Sequence, residues 1–173
     1  MAFNLLDRLI RRQPVRPPMD ELYRSVVALA REPRWYTAGA VPDTLDGRFD
    51  MVALVLSLAL VRLEREAAPH ALVGLTERFV EDMDGSLREI GVGDLVVGKH
   101  VGRMVGALEG RLGAYRAAIG GSAPLRDALV RNLYRGEAPD EAALAWIEGE
   151  IPALAARFDA TPLDRLLVGE IAG

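Results

Sequence analysis

Two histidines, no cysteine and 25 carboxylates are the raw material for any chemistry in this 173-residue chain. The lack of cysteine removes disulfides, thiolate metal sites and a sulfur nucleophile. Carboxylate-rich helical proteins build di-metal sites from paired Glu-x-x-His motifs on facing helices, and no such motif occurs. His70 directly follows the helix-opening Pro69, and a pair made with His100 would need a third ligand that the spacing does not offer. The expectation is no metal and no haem or other cofactor. Ser25, Ser57, Ser86 and Ser122 each have a local structural reading, and none lies in a nucleophile elbow. A phosphate loop and a Gly-x-Gly-x-x-Gly turn after a strand are both missing. The series Glu77, Glu81, Asp84, Arg88, with Arg78 one turn before Asp82, reads as a solvated helix face whose ion pairs contribute roughly tenths of a kcal/mol each. Titratable groups that converge on one point would mark an active site; the pattern has none, and an enzyme is not expected.

The elements that would carry these groups are helices. From Phe49 to Leu63 only Asp50, Ser57 and Arg62 are polar, so apolar side chains cover every side of a helix drawn through the run, and that helix must be buried. The run is short of the roughly 20 apolar residues that cross a bilayer and too long for a strand. Ser57, in its middle, is expected to bond back to a carbonyl one turn earlier. Before it, Leu22, Val26, Leu29 and Ala30 mark an amphipathic helix with Asp20 and Glu21 in its first turn, ending ahead of Pro33. Residues 33–46 hold no sustained period; Trp35 and Tyr36 sit there, as lids on the core or as contacts for a partner. After the central run, Pro69 opens a helix with a stripe of Leu72, Leu75, Phe79, Met83, Leu87 and Ile90, closed by Gly91 as C-cap, and Asp94 is a candidate N-cap for the next. Ser122 is placed to cap a helix through Leu125, Leu129, Val130 and Leu133. Another helix starts near Pro139, with Pro152 expected to kink or split it. Thr161-Pro162-Leu163-Asp164 reads as a helix start with Thr161 as N-cap. No stretch alternates for long enough to be a strand, so the fold class is all-α: a compact helical domain over 19–173 around a buried central helix.

Between about 97 and 119, Gly98, Gly102, Gly106 and Gly110 recur every four residues, with Gly113 following. Each interior glycine costs around 0.5–1 kcal/mol against alanine. A close approach by another helix would account for the row, either a neighbour in the same chain or a helix of a partner. Gly106 is assigned to packing within the chain, because Met104, Val105 and Leu108 crowd the same turns. Gly110 is the better candidate for a partner contact.

Charge is unevenly spread. Residues 1–16 carry four Arg and one Asp, a net +3, and residues 137–173 carry two Arg against eight carboxylates, a net −6. With an overall balance of −4, direct recognition of nucleic acid is not expected. Of the 21 basic residues only Lys99 is not Arg, as coding bias in a GC-rich genome would produce. Residues 1–18 form a separate arm: Phe3, Leu6 and Ile10 make one face of a short amphipathic helix, Arg8, Arg11 and Arg12 its charge, and Pro14, Pro17 and Pro18 a stiff spacer. Such an arm either lies on an anionic membrane surface or packs back on the body. The apolar stretch is short and its charges follow it, unlike a secretory signal, so the expected location is the cytoplasm, peripheral to the inner membrane where the arm engages it.

Trp35-Tyr36, Gly47-Arg48-Phe49-Asp50, the run from Glu77 to Lys99 and Gly110-Arg111-Leu112-Gly113-Ala114-Tyr115 together resemble the ubiquinol–cytochrome c chaperone family over roughly residues 20–120. Asp82, Asp84, Arg88, Gly91, Gly93, Asp94 and Lys99 stand in the most specific part. The acidic C-terminal helices lie outside the resemblance. It implies an all-α, non-enzymatic assembly factor that holds cytochrome b or another intermediate of the bc1 complex, beside a partner chaperone or the ribosome in the mitochondrial relatives. On that basis Trp35, Tyr36, Asp82, Asp84, Arg88 and Lys99 become partner-binding candidates, together with Gly110, Arg111 and Tyr115. The competing reading is a non-catalytic scaffold or structural subunit of a membrane-associated complex.

Overall fold

The computed structural model describes residues 19–89 and 94–173; for 86–89 and 94–101 only the backbone is described. The described residues form eight helices and no strand: α1 (Asp20–Ala30), α2 (Pro33–Thr37), α3 (Leu45–Arg65), α4 (Pro69–Glu89), α5 (Asp94–Ile119), α6 (Leu125–Asn132), α7 (Glu141–Ala160) and α8 (Leu163–Leu167). The all-α class read from the sequence is the observed one. The arm of residues 1–18 and the Gly91 cap lie outside the described residues, as does any capping by the Asp94 side chain.

The centre is α3. Every residue from Asp50 to Val61 is buried, and the helix packs most extensively on α5 and α1 and also on α4 and α7. Thr44 caps its start by accepting from the Gly47 N–H at 3.1 Å. Ser57 donates to the Ala53 carbonyl at 2.6 Å, so its hydroxyl is satisfied inside the helix as expected. From α4, Leu72, Leu75 and Phe79 enter the same core; from α7 come Ile147, Ile151 and Phe158.

The glycine row of α5 corrects the packing expected for it. A methyl group added at Gly102, Gly106, Gly110 or Gly113 would meet nothing within 4 Å, and the first three are exposed. The face that meets the core is instead Val105, Leu108, Leu112 and Tyr115, spaced by three and four residues as a helix stripe requires. A strict four-residue repeat drifts by about 40° per step and cannot follow one neighbour along the helix.

Among the helix-boundary readings, those for Ser122 and Thr161 change, and α7 is not split at Pro152. Ser122 closes α5 by donating to the Ala117 carbonyl at 3.0 Å, and α6 begins after Pro124. Pro152 lies inside a continuous α7; it is exposed, so the carbonyl it leaves unbonded one turn earlier is on the side open to water. Thr161 does not cap α8, which starts after Pro162. Its hydroxyl donates to the Arg157 carbonyl at 2.7 Å and accepts from the Ala172 N–H at 3.0 Å, tying down the C-terminal strap.

Candidate functional site

Asp50 is fully buried in α3, among apolar neighbours. An ionised carboxylate there is prohibitive without cations, and two guanidiniums arrive from different elements. Arg111 on α5 brings Nη2 to 2.6 Å from Oδ1, and Arg135, in the turn after α6, brings Nε to 2.5 Å from Oδ2. Each oxygen thus has its own charge-assisted hydrogen bond. Arg135 also donates from Nη1 to Asp46 Oδ2 at 2.7 Å, one turn before Asp50. Its guanidinium pKa is raised, chiefly by the bond to Asp50, so its charge is permanent.

Local structure fixes both arginines. Arg111 also donates to the Ala107 carbonyl at 3.3 Å, and its guanidinium carbon lies 5.6 Å from the centroid of the Phe49 ring, a cation–π distance. Arg135 sits in the left-handed region at φ +53°, followed by Gly136 at φ +92°. A non-glycine residue there is strained, and such strain persists only where the surroundings impose it. Here Tyr134 anchors the turn by donating to the Gly39 carbonyl at 2.5 Å; burial pushes its phenol up to about 12. Burial also raises the Tyr115 phenol, which therefore stays neutral. Arg111 Nε and Tyr115 Oη are buried without a hydrogen-bond partner.

Beside this clamp the surface opens into a groove of about 510 Å³. Four arginines line it, Arg103, Arg111, Arg131 and Arg135, together with Phe49, Met104 and Ala107. Arg103, Ala107 and Arg111 recur every four residues, so α5 presents them on one side. Arg131, on α6, has no ion-pair partner among the described residues. The groove can therefore neutralise an anion and cover apolar surface; among the described residues no cluster of His, Asp and Glu could hold a metal.

The residues singled out from the sequence fall in separate places. Arg111 and Tyr115 belong to the Asp50 site. Trp35 is fully buried, donating from Nε1 to the Leu29 carbonyl at 2.7 Å and meeting Trp146 edge-on with centroids 5.7 Å apart; it closes the core and reaches no open surface. Tyr36 is half-buried and donates to the Ala30 carbonyl at 2.9 Å. On α4, exposed Asp82 accepts from the Tyr23 hydroxyl at 2.8 Å, and Asp84 is half-buried. Arg78 does not turn to Asp82: it pairs with Glu81 at 2.9 Å and reaches across to Asp20 at 3.3 Å. Gly110 is exposed on α5. The side chains of Arg88 and Lys99, and the arm residues Phe3, Leu6, Arg8, Ile10, Arg11 and Arg12, lie outside the described residues.

In the sequence Phe49 and Asp50 stand out only as members of the central run and of a motif, and nothing there marks Arg103, Arg131 or Arg135. One signal was available: an acidic residue inside a run that must be buried has to recruit a cation.

The family model for the ubiquinol-cytochrome C chaperone matches residues 37–172. The chain belongs to that family. The match runs through the acidic C-terminal helices, so the family resemblance extends well past residue 120, where the motifs alone ended. Among solved structures, the crystal structure of the Cbp3 homolog from Brucella abortus is similar at 30% identity, with a TM-score of 0.73, covering 89% of this chain and 87% of that one. No curated protein matches this ubiquinol–cytochrome c chaperone family member by sequence.

Proposed function

We propose that this chain is an assembly chaperone that binds cytochrome b, or another intermediate of the bc1 complex, during biogenesis of ubiquinol–cytochrome c reductase, and that it performs no catalysis. The observation that carries the reading is the family match over residues 37–172. The groove supports it: guanidiniums and apolar side chains share one open surface, an arrangement suited to protein contacts, where arginine and aromatic residues are enriched. Among the described residues no helix is long and apolar enough to cross a membrane. Our reading places the chain peripherally at the cytoplasmic face, with the basic arm as the candidate for membrane contact.

Affinity capture decides between this reading and a permanent structural subunit. The tagged chain is expected to bring down cytochrome b from cells blocked late in bc1 assembly and to be missing from the purified mature complex. Stoichiometric recovery of the chain with the mature complex overturns the chaperone reading.

A further inference from the structure

We infer that the groove between α5 and the end of α6 is a docking site for a polypeptide segment in which a carboxylate side chain neighbours an apolar one. The inference rests on the protein-binding role proposed above and names the chemistry that the site selects.

Charge comes first. On a chain whose net charge is −4, Arg103, Arg111, Arg131 and Arg135 line the groove, and among the described residues Arg111 and Arg135 are paired with Asp50 and Asp46. Asp50 is fully buried and occupied on both oxygens. Asp46 differs, being 70% exposed and holding Arg135 by one contact. A carboxylate entering the groove can replace Asp46 on Arg135 while Arg131, without an ion pair among the described residues, supplies the second donor. Guanidinium forks suit that geometry.

The apolar component is specific too. Phe49, Met104 and Ala107 lie among the arginines, and Leu45, one turn before Phe49 on α3, is 68% exposed. Methionine adapts its shape to varied partners. A hollow of about 510 Å³ lies within the range that encloses ligands, and it admits protruding side chains, whereas a bilayer surface meets convex or flat basic faces. These features favour a peptide over a membrane.

The test uses the full chain and labelled, capped decapeptides alternating Glu with Leu, Gln with Leu, or Glu with Ser. Vesicles containing phosphatidylglycerol form a fourth arm. The Glu/Leu peptide is expected to bind tightest, more weakly as salt rises. Arg131→Glu is expected to weaken it roughly tenfold or more, as for loss of a charged hydrogen bond, with partial recovery in Arg131→Lys. Asp46→Asn removes the internal competitor and is expected to tighten binding a few-fold. Circular dichroism of Arg131→Glu, an exposed position, checks that the fold is intact. Equal binding of the Glu/Leu and Gln/Leu peptides, indifference to Arg131→Glu, or binding of the vesicles alone overturns the inference. Capture of cytochrome b by the wild-type chain separates this failure from failure of the chaperone role. If capture persists while the peptides ignore the groove, only the docking site falls.

Discussion

At the scale of single residues, Asp50 makes the most consequential contacts. Its carboxylate draws α5 and the turn after α6 onto the start of α3 through Arg111 and Arg135. Removing Asp50 leaves the largely buried Arg111 without its carboxylate, while Arg135 keeps Asp46; breaking a buried, hydrogen-bonded charge cluster in this way costs about 3–5 kcal/mol. Asp50→Ala should lower the unfolding free energy by that amount, read as a lower urea midpoint. A double change, Asp50→Leu with Arg111→Met, should recover much of the loss, since apolar groups of similar volume often replace buried ion pairs without penalty. A wild-type urea midpoint in Asp50→Ala would show that the carboxylate does not hold these elements together. Tyr134 makes a pH-dependent contribution. Its folded pKa, about 12, lies above the usual tyrosine value because burial disfavours the phenolate. The linked stability is therefore fully present below about pH 10, the unfolded value, and is lost as pH rises toward 12. Stability measured from pH 8 to 12 should be level at first and then fall, with a shallower fall in Tyr134→Phe.

At the scale of elements, two kinds of glycine give opposite expectations. Gly106 and Gly110 sit on an open face of α5, so alanine at either position gains helix propensity without meeting anything. Each change should add about 0.5–1 kcal/mol of stability. Gly47 is different: a β-carbon there would lie 1.9 Å from the Pro42 carbonyl oxygen, a clash with backbone that cannot step aside cheaply. Gly47→Ala should cost about 1–3 kcal/mol despite the helical gain. Thermal melting of the three variants checks both signs. The contrast also explains what the sequence could convey. Hydrophobic patterning places α1, α3 and α4, because burial imposes that pattern directly, but it did not yield the core stripe of α5. It says nothing about why a glycine is present: the row every four residues suggested a shared reason, whereas Gly47, where a methyl group cannot fit, belongs to no repeat. The site was legible only in part for the same cause. Arg111 and Tyr115 lie in a recognisable motif, but Arg135 reaches Asp50 across 85 positions of chain, a pairing set by how α5, α6 and α3 meet rather than by any local spacing.

At the scale of the whole molecule, an acidic chain carries arginines at the groove and a net +3 over residues 1–16. The two should serve different partners. The groove combines guanidiniums with a hollow, which suits a protein segment; the arm combines Arg8, Arg11 and Arg12 with Phe3, Leu6 and Ile10 at helical spacing, which suits an anionic bilayer surface. Near such a surface each arginine contributes about 1 kcal/mol, so removing three should weaken association roughly a hundredfold. Replacing Arg8, Arg11 and Arg12 together by Glu should therefore abolish flotation of the full chain with phosphatidylglycerol vesicles at low salt. It should leave binding of the Glu/Leu peptide unchanged, because the groove arginines are untouched. Arg131→Glu should do the reverse. Equal flotation of the wild type and the triple variant would remove the arm from membrane association, and loss of both activities in either variant would show that arm and groove form one surface rather than two.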